Sequence, residues 1–402
     1  MKIHRTIPPA AAPIGLKSLL HSLAGIFFGK KYMVRLEDEL KKYFGVKHVF
    51  LVSSGKAALT LILKSLKTLS PKKEQVLIPA YTCFSVPSAI VKAGLKVSLC
   101  DIDPITFDFD YKLLKEALHE DTLCVIPNHL FGIPANMDRI NSLCKERGIF
   151  VVEDAAQAMG IKLNGKFLGT IGDIGFFSLG RGKNITCGSG GVIVTNSDVI
   201  ADTIRKEYGN LPGPGIIDTI KEFTKVLMMS IFIYPSLYWF PAGMPFLRIG
   251  ETIFYTDFPI KRLSGMQAGL LRGWQKQLED SNEIRKENAE YFSNRLRLRF
   301  RLRHSNSNTD SVTFLRLPVL LEHKEIKDKL YPISHKLGLG LSKMYPTAIN
   351  EIEEIKNQFN GKIYPSAKEM AECLLTIPTH QFLSERDKEK ICGIIISSLP
   401  MC

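Results

Sequence analysis

Several patterns that would assign a chain to a large class of proteins are missing from this sequence. The eight cysteines are scattered, with no CxxC pair and no cluster with histidine, so the sequence predicts no metal site and favours reduced thiols. The absence of an internal repeat and of a low-complexity segment excludes solenoid and linker proteins. A convincing secretory signal is also missing, because the apolar stretch Leu19 to Phe28 begins late and lacks a small-residue cleavage site. These absences predict a cytoplasmic protein.

The composition is that of a globular protein with a basic surface. The chain has 402 residues, 45% hydrophobic and 23% charged, which is enough for a large core and two lobes. The net charge of +13 predicts attraction to anions such as nucleotides, phosphates, nucleic acid or acidic lipid. An arginine run from Arg295 to Arg303 alternates with Leu and Phe and predicts a strand or helix end with one basic face. Because no aromatic platform stands beside it, we expect no nucleic-acid partner.

One passage, residues 226–247, has no charge and reads VLMMSIFIYPSLYWFPAGMPFL. It is as long as the roughly 20 residues that span a bilayer, but its three prolines argue against a straight helix. We favour a buried hairpin or a dimer contact, with peripheral membrane contact as the second interpretation and a membrane span as the third. An apolar stripe at helical spacing near the amino terminus could lie against the same surface; it comprises Leu16, Leu19, Leu20, Leu23 and Phe27.

From residue 47 to residue 195, short apolar runs alternate with helical patterns, which is typical of βαβ units with a mostly parallel sheet covered by helices. The predicted strands are VFLVS, VLIPA, KVSLCDI, LCVIPNH, IFVVEDA, IGFFSL and GVIVTN. Ligands of such sheets bind beyond the carboxyl ends of the strands, and this rule selects Ser54, residues 79–83, His129, Asp154 and Ser178.

The pattern changes near Gly250, and we expect three parts: an N-terminal segment 1–31, a large domain 32–250 with the apolar insertion, and a smaller C-terminal α/β domain 251–402. In the last part the sequence predicts a long helix from about Ser264 into the arginine run and a strand at SVTFLRL. It also predicts a helix at HKEIKDKLYPISHKL and a final helix from about Ser384 to Ser398.

The stretch from Val151 to Thr195 is the most informative, because an acid ends one strand and a lysine follows another. Pyridoxal phosphate needs a lysine for its imine and an acid facing the pyridine nitrogen, roles that Lys183 and Asp154 can supply. It also needs donors for a phosphate, which backbone N–H groups at a helix start and nearby hydroxyls provide. The candidates for that role are Ser54, Gly55, Lys56 and Ser178.

These blocks, in order, resemble the DegT-type sugar aminotransferases, which are fold type I pyridoxal-phosphate enzymes. The matching blocks are SSGKAAL, PAYTC, HLFG, EDAAQAMG, FFSLGRGKNIT, GGVIVT, KRLSGMQAGLL, MYPTA and YPSAKEMAECLLTIPTH. The resemblance implies that Lys183 is catalytic and carries the cofactor, that Asp154 faces the pyridine nitrogen, and that Gln157 lies near the ring hydroxyl. Ser178 would bind the phosphate.

By the same resemblance, we expect a homodimer that moves an amino group from glutamate or glutamine to a keto-sugar. That acceptor would be nucleotide-linked, and the reaction would serve the biosynthesis of amino sugars or surface polysaccharide.

The sequence departs from the family at three positions. Lys56 stands where a threonine is common, Cys83 where an aromatic residue stacks on the cofactor, and Ile260 where a partner subunit often contributes an asparagine. A related dehydratase would have histidine at position 183, so Lys183 favours transamination. The alternatives are a cofactor-binding regulator or degenerate homologue without turnover, and a basic protein of the membrane surface.

Overall fold

The structure, a computed structural model, describes residues 5–296 and 312–398. Within them the chain forms 14 α-helices and 11 strands. The helices are α1 Leu16–Phe27, α2 Gly29–Phe44, α3 Gly55–Leu69, α4 Ser85–Lys92, α5 Tyr111–Ala117, α6 Met137–Lys145, α7 Asp198–Gly209, α8 Ile216–Phe232, α9 Trp239–Ala242, α10 Gly265–Leu270, α11 Trp274–Leu296, α12 Lys324–Leu337, α13 Pro365–Cys373 and α14 Glu385–Ser398. The strands are β1 His48–Val52, β2 Gln75–Pro79, β3 Lys96–Cys100, β4 Thr122–Val125, β5 Phe150–Asp154, β6 Lys162–Leu163, β7 Lys166–Phe167, β8 Ile174–Ser178, β9 Gly191–Thr195, β10 Arg316–Leu320 and β11 Leu374–Pro378.

A seven-stranded sheet in the order β1-β9-β8-β5-β4-β2-β3 organises the fold. The pairs β2–β3, β2–β4, β4–β5 and β5–β8 are parallel, whereas β9 runs antiparallel to both of its neighbours. All seven strands expected from the sequence between residues 47 and 195 belong to this sheet, so the prediction of a mostly parallel α/β fold is confirmed. The carboxyl ends of β1, β5 and β8 therefore meet at one edge.

Alternating side chains of the strands bury their apolar groups on the two faces of the sheet. On β1, Phe50 and Val52 join the cluster that contains α3, while Val49 and Leu51 join the cluster that contains α2 and α11. Leu51 and Val52 are fully buried, and each such side chain stabilises the fold by about 1.5–3 kcal/mol. Helices on both faces thus fix the sheet edge on which the polar residues lie.

Two parts of the C-terminal region differ from the sequence prediction. The long helix expected from Ser264 is divided into α10 and α11, because Gly273 between them has a φ of 74° that ordinary helical residues do not adopt. The strand expected at SVTFLRL begins later, at Arg316, where it pairs with β11. The two remaining predicted helices are present as α12 and α14. The arginine run beyond Leu296 lies outside the described residues.

Helix α1 packs against α10 through residues that lack side chains. A Cβ added to Gly25 would lie 2.2 Å from the carbonyl oxygen of Gly265, and one added to Gly269 would lie 2.3 Å from that of His21. The two backbones are therefore closer than any larger residue would permit. The buried residues of α1 are Ser18, Ser22 and Gly25, and Leu19 packs against a core cluster. The other apolar side chains of the predicted stripe, Leu16, Leu20, Leu23 and Phe27, are exposed.

The charge-free segment 226–247 forms helical turns where a buried hairpin was expected. It includes the second half of α8, then α9 and a 3-10 turn at Pro245–Leu247. Val226 and Tyr238 are buried, but many of its large apolar side chains are exposed, among them Leu227, Met228, Ile231 and Leu237. Among the described residues, no helix combines the length and the apolar character needed to cross a membrane.

Candidate active site

Asp154 is the last residue of β5 and lies at the carboxyl edge of the sheet, as the sequence predicts. Its side chain is buried, and its Oδ1 accepts a hydrogen bond of 3.0 Å from the N–H of Ala156. Burial raises the pKa of this carboxyl group, while the Ala156 N–H and the charges of Lys183 and His129 act in the opposite direction. A cationic partner above the strand end would therefore stabilise the carboxylate strongly.

Lys183 lies in the loop between β8 and β9, within the electrostatic reach of Asp154. Burial lowers the pKa of its ammonium group, and the charges of Cys83 and Asp154 counteract this in part. A lysine with a lowered pKa has a larger share of free amine, which is the nucleophilic form. The structure thus brings together the lysine and the acid that the sequence placed on separate strand ends.

Close approach of two strand ends makes a cradle for an anion. A Cβ added to Gly55 would lie 3.0 Å from the Cβ of Ser178, and one added to Gly191 would lie 2.3 Å from the carbonyl oxygen of Ser54. Because Gly191 starts β9, which separates β1 from β8, its missing side chain lets the start of α3 reach Ser178. Gly55 and Ser178 are therefore neighbours across the site.

The start of α3 supplies the donors of this cradle. Ser54 is the N-cap, and its Oγ accepts a hydrogen bond of 3.0 Å from the N–H of Ala57. The N–H groups of Gly55 and Lys56 belong to the first turn, where no acceptor exists within the helix, and they carry the positive end of its dipole. Together with the hydroxyl of Ser178, they can hold a phosphate.

Lys56 has a different environment from the one its position in the sequence suggests. Its Nζ lies 3.2 Å from the ring centroid of Tyr255 and 4.5 Å from that of Phe258. Burial and the nearby charge of Lys92 lower the pKa of Lys56 to about 8, although Cys83 acts in the opposite direction. The ammonium thus contacts two aromatic faces, an arrangement that the sequence did not reveal.

Gln157 follows Asp154 by one turn and is fixed at both ends of its amide. Its Oε1 accepts a hydrogen bond of 3.2 Å from the N–H of Phe131, and its Nε2 donates one of 3.1 Å to the hydroxyl of Tyr345. Tyr345 is buried, and burial raises the pKa of its phenol well above the usual value. The Tyr345 contact ties the block MYPTA to the strand-end residues.

A network of hydrogen bonds surrounds the buried side chains of His129 and Glu153, next to the carboxyl end of β5. The ring of His129 contacts Glu153 through Nε2 at 2.9 Å and accepts a hydrogen bond of 3.1 Å from the N–H of Ala135 at Nδ1. Glu153 in turn accepts hydrogen bonds from the N–H groups of Gly169, Ile171 and Gly172. Because these partners saturate Glu153, it positions the loop between β7 and β8 and leaves Asp154 as the acid at the site.

Sequence reasoning missed two residues of the site, Arg316 and Tyr238. Arg316 acts electrostatically on Lys183, Tyr238 and Tyr345. Tyr238 comes from the apolar segment and is buried near Arg316 and Arg181. A lone arginine in a strand-like run and a tyrosine in an apolar run carry no local motif, so only the fold could place them here.

The residues present fit a phosphorylated aldehyde cofactor of the kind expected from the sequence. The cradle offers two N–H groups and a hydroxyl, and the buried carboxylate of Asp154 lies within the electrostatic reach of the amine of Lys183. The backbone of Asn128 forms a β-bridge with that of Asp154. The side-chain Oδ1 of Asn128 is buried and accepts no hydrogen bond from the described residues. Such an orphaned acceptor beside the strand end is consistent with a ligand that completes the site.

The fold and the site define an α/β protein with a lysine and an acid beside an anion cradle, and comparison with known proteins gives its family. The chain matches the profile of the DegT/DnrJ/EryC1/StrS aminotransferase family over residues 18–228 and 251–396. It belongs to that family. Residues 229–250, which include most of the apolar segment, lie between the two matched parts.

Individual relatives agree with this assignment. The chain is 36% identical over 184 residues, 45% of its length and 49% of the relative's, to a pleiotropic regulatory protein of Geobacillus stearothermophilus. It is 33% identical over 172 residues, 43% of its length and 46% of the relative's, to the GDP-perosamine synthase of Vibrio cholerae. The matched part thus spans about half the length of these relatives.

The fold also resembles that of a solved aminotransferase. Helicobacter pylori PseC, an aminotransferase involved in the biosynthesis of pseudoaminic acid, superposes with a TM-score of 0.77 at 17% identity, covering 98% of this chain and 99% of that one. At this identity the likeness concerns the fold.

Proposed function

We propose that this protein is a pyridoxal-phosphate-dependent aminotransferase that moves an amino group from glutamate or glutamine to a nucleotide-linked keto-sugar. The observation that carries the proposal is the placement of Lys183 and the buried Asp154 at one sheet edge with the cradle of Ser54, Gly55 and Ser178. Family membership supports the reaction class, and the net charge of +13 suits a diphosphate-linked acceptor. The product would serve amino-sugar or surface-polysaccharide biosynthesis.

Pyridoxal phosphate, when bound, supplies an electron-accepting ring that stabilises a carbanion next to the transferred nitrogen. Lys183 would hold the cofactor and then, as a free amine, move a proton between the substrate carbon and the cofactor carbon. Its lowered pKa favours the neutral form that this shuttle requires. Asp154 would pair with the protonated pyridine nitrogen, and its burial strengthens that pairing because little water screens it.

Gln157 would orient the ring from the side of its hydroxyl, because its amide is fixed between Phe131 and Tyr345. Ser54, Gly55 and Ser178 would hold the phosphate through the cradle, with the Lys56 ammonium beside it. Cys83 stands where an aromatic residue commonly stacks, and it lies within electrostatic reach of both Lys56 and Lys183.

The test is the visible absorption of the purified protein with pyridoxal phosphate, before and after glutamate, for the wild type and Lys183→Ala. We expect a band that depends on Lys183 and that glutamate converts to the pyridoxamine form. Lys112→Ala, which removes an exposed lysine of α5, is the matched control and should behave as the wild type. Absence of the band from the wild type would contradict the proposal.

The second candidate function is that of a cofactor-binding regulator without turnover. It is favoured by the departures at Lys56, Cys83 and Ile260, and by the similarity to the Geobacillus regulatory protein. The same spectra separate the two functions. A Lys183-dependent band that no amino donor changes would favour the regulator.

We further propose that the chain acts in the cytoplasm as a homodimer and that segment 226–247 contacts a membrane surface. The support for the membrane contact is the row of exposed apolar side chains on α8 together with nearby lysines such as Lys221 and Lys225. This segment falls largely outside the family match, so a contact specific to this chain would explain it.

Sedimentation gives the mass, and co-sedimentation with anionic vesicles at low salt measures membrane binding. The variant Leu227→Ser/Met228→Ser/Ile231→Ser should keep the dimer mass and lose its binding to vesicles. Ile363→Ser, which changes another exposed apolar residue, should alter neither the mass nor the vesicle binding. A fall to the monomer mass without loss of vesicle binding would assign the segment to the dimer contact instead.

A further inference from the structure

Arg316, a cation of the site, has no anionic partner in the part of the chain that the structure describes. Arg316 is the first residue of β10, and its Nη1 lies 3.3 Å from the Oγ of Ser342 and 3.1 Å from the Sδ of Met344. Within residues 5–296 and 312–398 the guanidinium forms no salt bridge, and its Nε and Nη2 have no hydrogen-bond partner. Since an arginine has five N–H donors, most of its capacity is open.

A buried arginine nearby, Arg285, has a purely structural set of partners, whereas Arg316 is only half-buried. Arg285 of α11 donates to the carbonyl oxygens of Ala11 and Leu315 and to the hydroxyl of Thr379, with distances of 2.7, 2.8 and 3.3 Å. Burial lowers the pKa of Arg285 to about 9, and the charge of Arg316 acts in the same direction. The positive charges of Arg316 and Arg285 disfavour each other, so an anion at Arg316 would stabilise both.

The guanidinium lies close to the site residue Gln157, because Met344, which contacts it, precedes Tyr345, whose hydroxyl accepts a hydrogen bond from Gln157. Its charge lowers the pKa of Lys183, so the two lie within electrostatic reach, and Tyr238, Tyr345 and Cys83 are its other electrostatic neighbours. Met344, which contacts it, has a φ of 56°, a conformation that is strained for a residue with a side chain. The strained turn places Met344 on Arg316 and the following Tyr345 on Gln157.

We propose that Arg316 is a specificity-determining residue that binds the α-carboxylate of the amino donor. This inference rests on the proposed function. In an α-amino acid the carboxylate and the reacting nitrogen share one carbon, so a carboxylate must lie close to the amine of Lys183 when the nitrogen is transferred. The planar guanidinium matches a carboxylate with two parallel hydrogen bonds.

Two other anions are less well placed. The phosphate of the cofactor has its own donors at Ser54, Gly55 and Ser178. The diphosphate of a nucleotide-sugar is separated from the reacting carbon by the sugar ring, so it reaches further from Lys183 than an α-carboxylate does. The carboxylate is therefore the anion that fits the position of Arg316.

Calorimetric titration of the cofactor-loaded protein with glutarate, an unreactive dicarboxylate, tests the assignment. We expect the wild type to bind glutarate about 10-fold to 100-fold more tightly than the uncharged glutaramide. Arg316→Gln should lose this preference while keeping its affinity for pyridoxal phosphate, and Arg316→Lys should restore part of it. Arg272→Gln, which removes an exposed arginine, is the matched control.

Equal affinity of the wild type for glutarate and glutaramide would overturn the proposal, even if Arg316→Gln fails to fold. It would also be overturned if Arg316→Gln bound glutarate as tightly as the wild type does. The same holds if the substitution weakened the binding of UDP and left the binding of glutarate unchanged. A wild type that binds glutarate through Arg316 but never takes nitrogen from glutamate would contradict the proposed function and leave this subsite intact.

Discussion

Gly55→Ala is the sharpest test of the anion cradle. The new methyl group would lie 3.0 Å from the Cβ and 3.2 Å from the Oγ of Ser178, whereas carbon atoms in ordinary contact are about 3.5–4.0 Å apart. Ser178 must therefore retreat by roughly half an ångström, which lengthens its hydrogen bond to a bound phosphate.

The expected loss follows from the strength of that hydrogen bond. A hydrogen bond to a charged group contributes about 1.5–3 kcal/mol, and a displacement of this size removes a fraction of it, about 1 kcal/mol. The dissociation constant of pyridoxal phosphate should then rise about 5-fold. Global stability should change little, because position 55 is in the first turn of α3 and an alanine favours the helix.

The assay is a titration of the cofactor-free protein with pyridoxal phosphate, with urea unfolding of the same sample. Gly393→Ala is the control, since a Cβ at Gly393 of α14 meets nothing within 4 Å. It should stabilise the protein by about 0.5–1 kcal/mol and leave the cofactor affinity unchanged. An unchanged affinity in Gly55→Ala would refute the assignment of the cradle to the phosphate.

Three further predictions concern the acid, the lysine and the amino-terminal helix. Asp154→Asn should keep its melting temperature but lose turnover by roughly 100-fold or more, measured as kcat, because the amide cannot stabilise a pyridinium. The rate of cofactor uptake should rise with pH through a midpoint below 10.5, the ordinary lysine pKa, since burial lowers the pKa of Lys183. Asp154→Asn should move that midpoint lower and Arg316→Gln higher, because Asp154 raises and Arg316 lowers this pKa. Gly25→Ala, whose Cβ would lie 2.2 Å from the oxygen of Gly265, should destabilise the protein in urea by about 1–3 kcal/mol, while Gly15→Ala, with nothing within 4 Å, should not.

The sheet and part of the site could be predicted from the sequence because their determinants are local. A buried strand is a short apolar run, and its carboxyl end carries the next polar residue, which located Ser54, Asp154 and Ser178 before the fold was known. The division of the expected helix at Gly273 depends on a single backbone angle within a continuous helical pattern. Local patterns do not resolve such a break.

Contacts between distant parts of the chain account for what the sequence did not reveal. Arg316 reaches the site because β10 pairs with β11 and the turn at Met344 brings Tyr345 to Gln157. The aromatic rings around Lys56 come from residues about 200 positions away, at Tyr255 and Phe258. No spacing rule joins such residues, so their role becomes visible only with the fold.

The apolar segment 226–247 joins two of the proposals, because it has an inner and an outer face. On the inner side Tyr238 is buried beside Arg316, and the carbonyl oxygen of Pro235 accepts a hydrogen bond of 2.8 Å from the N–H of Thr6. On the outer side Leu227 and Ile231 are exposed. A surface that binds the outer face therefore contacts the same segment that carries Tyr238, which lies within electrostatic reach of Arg316. If the segment docks on a membrane, vesicles should alter the affinity for glutarate, and Leu227→Ser/Met228→Ser/Ile231→Ser should abolish that effect while the affinity in solution stays the same.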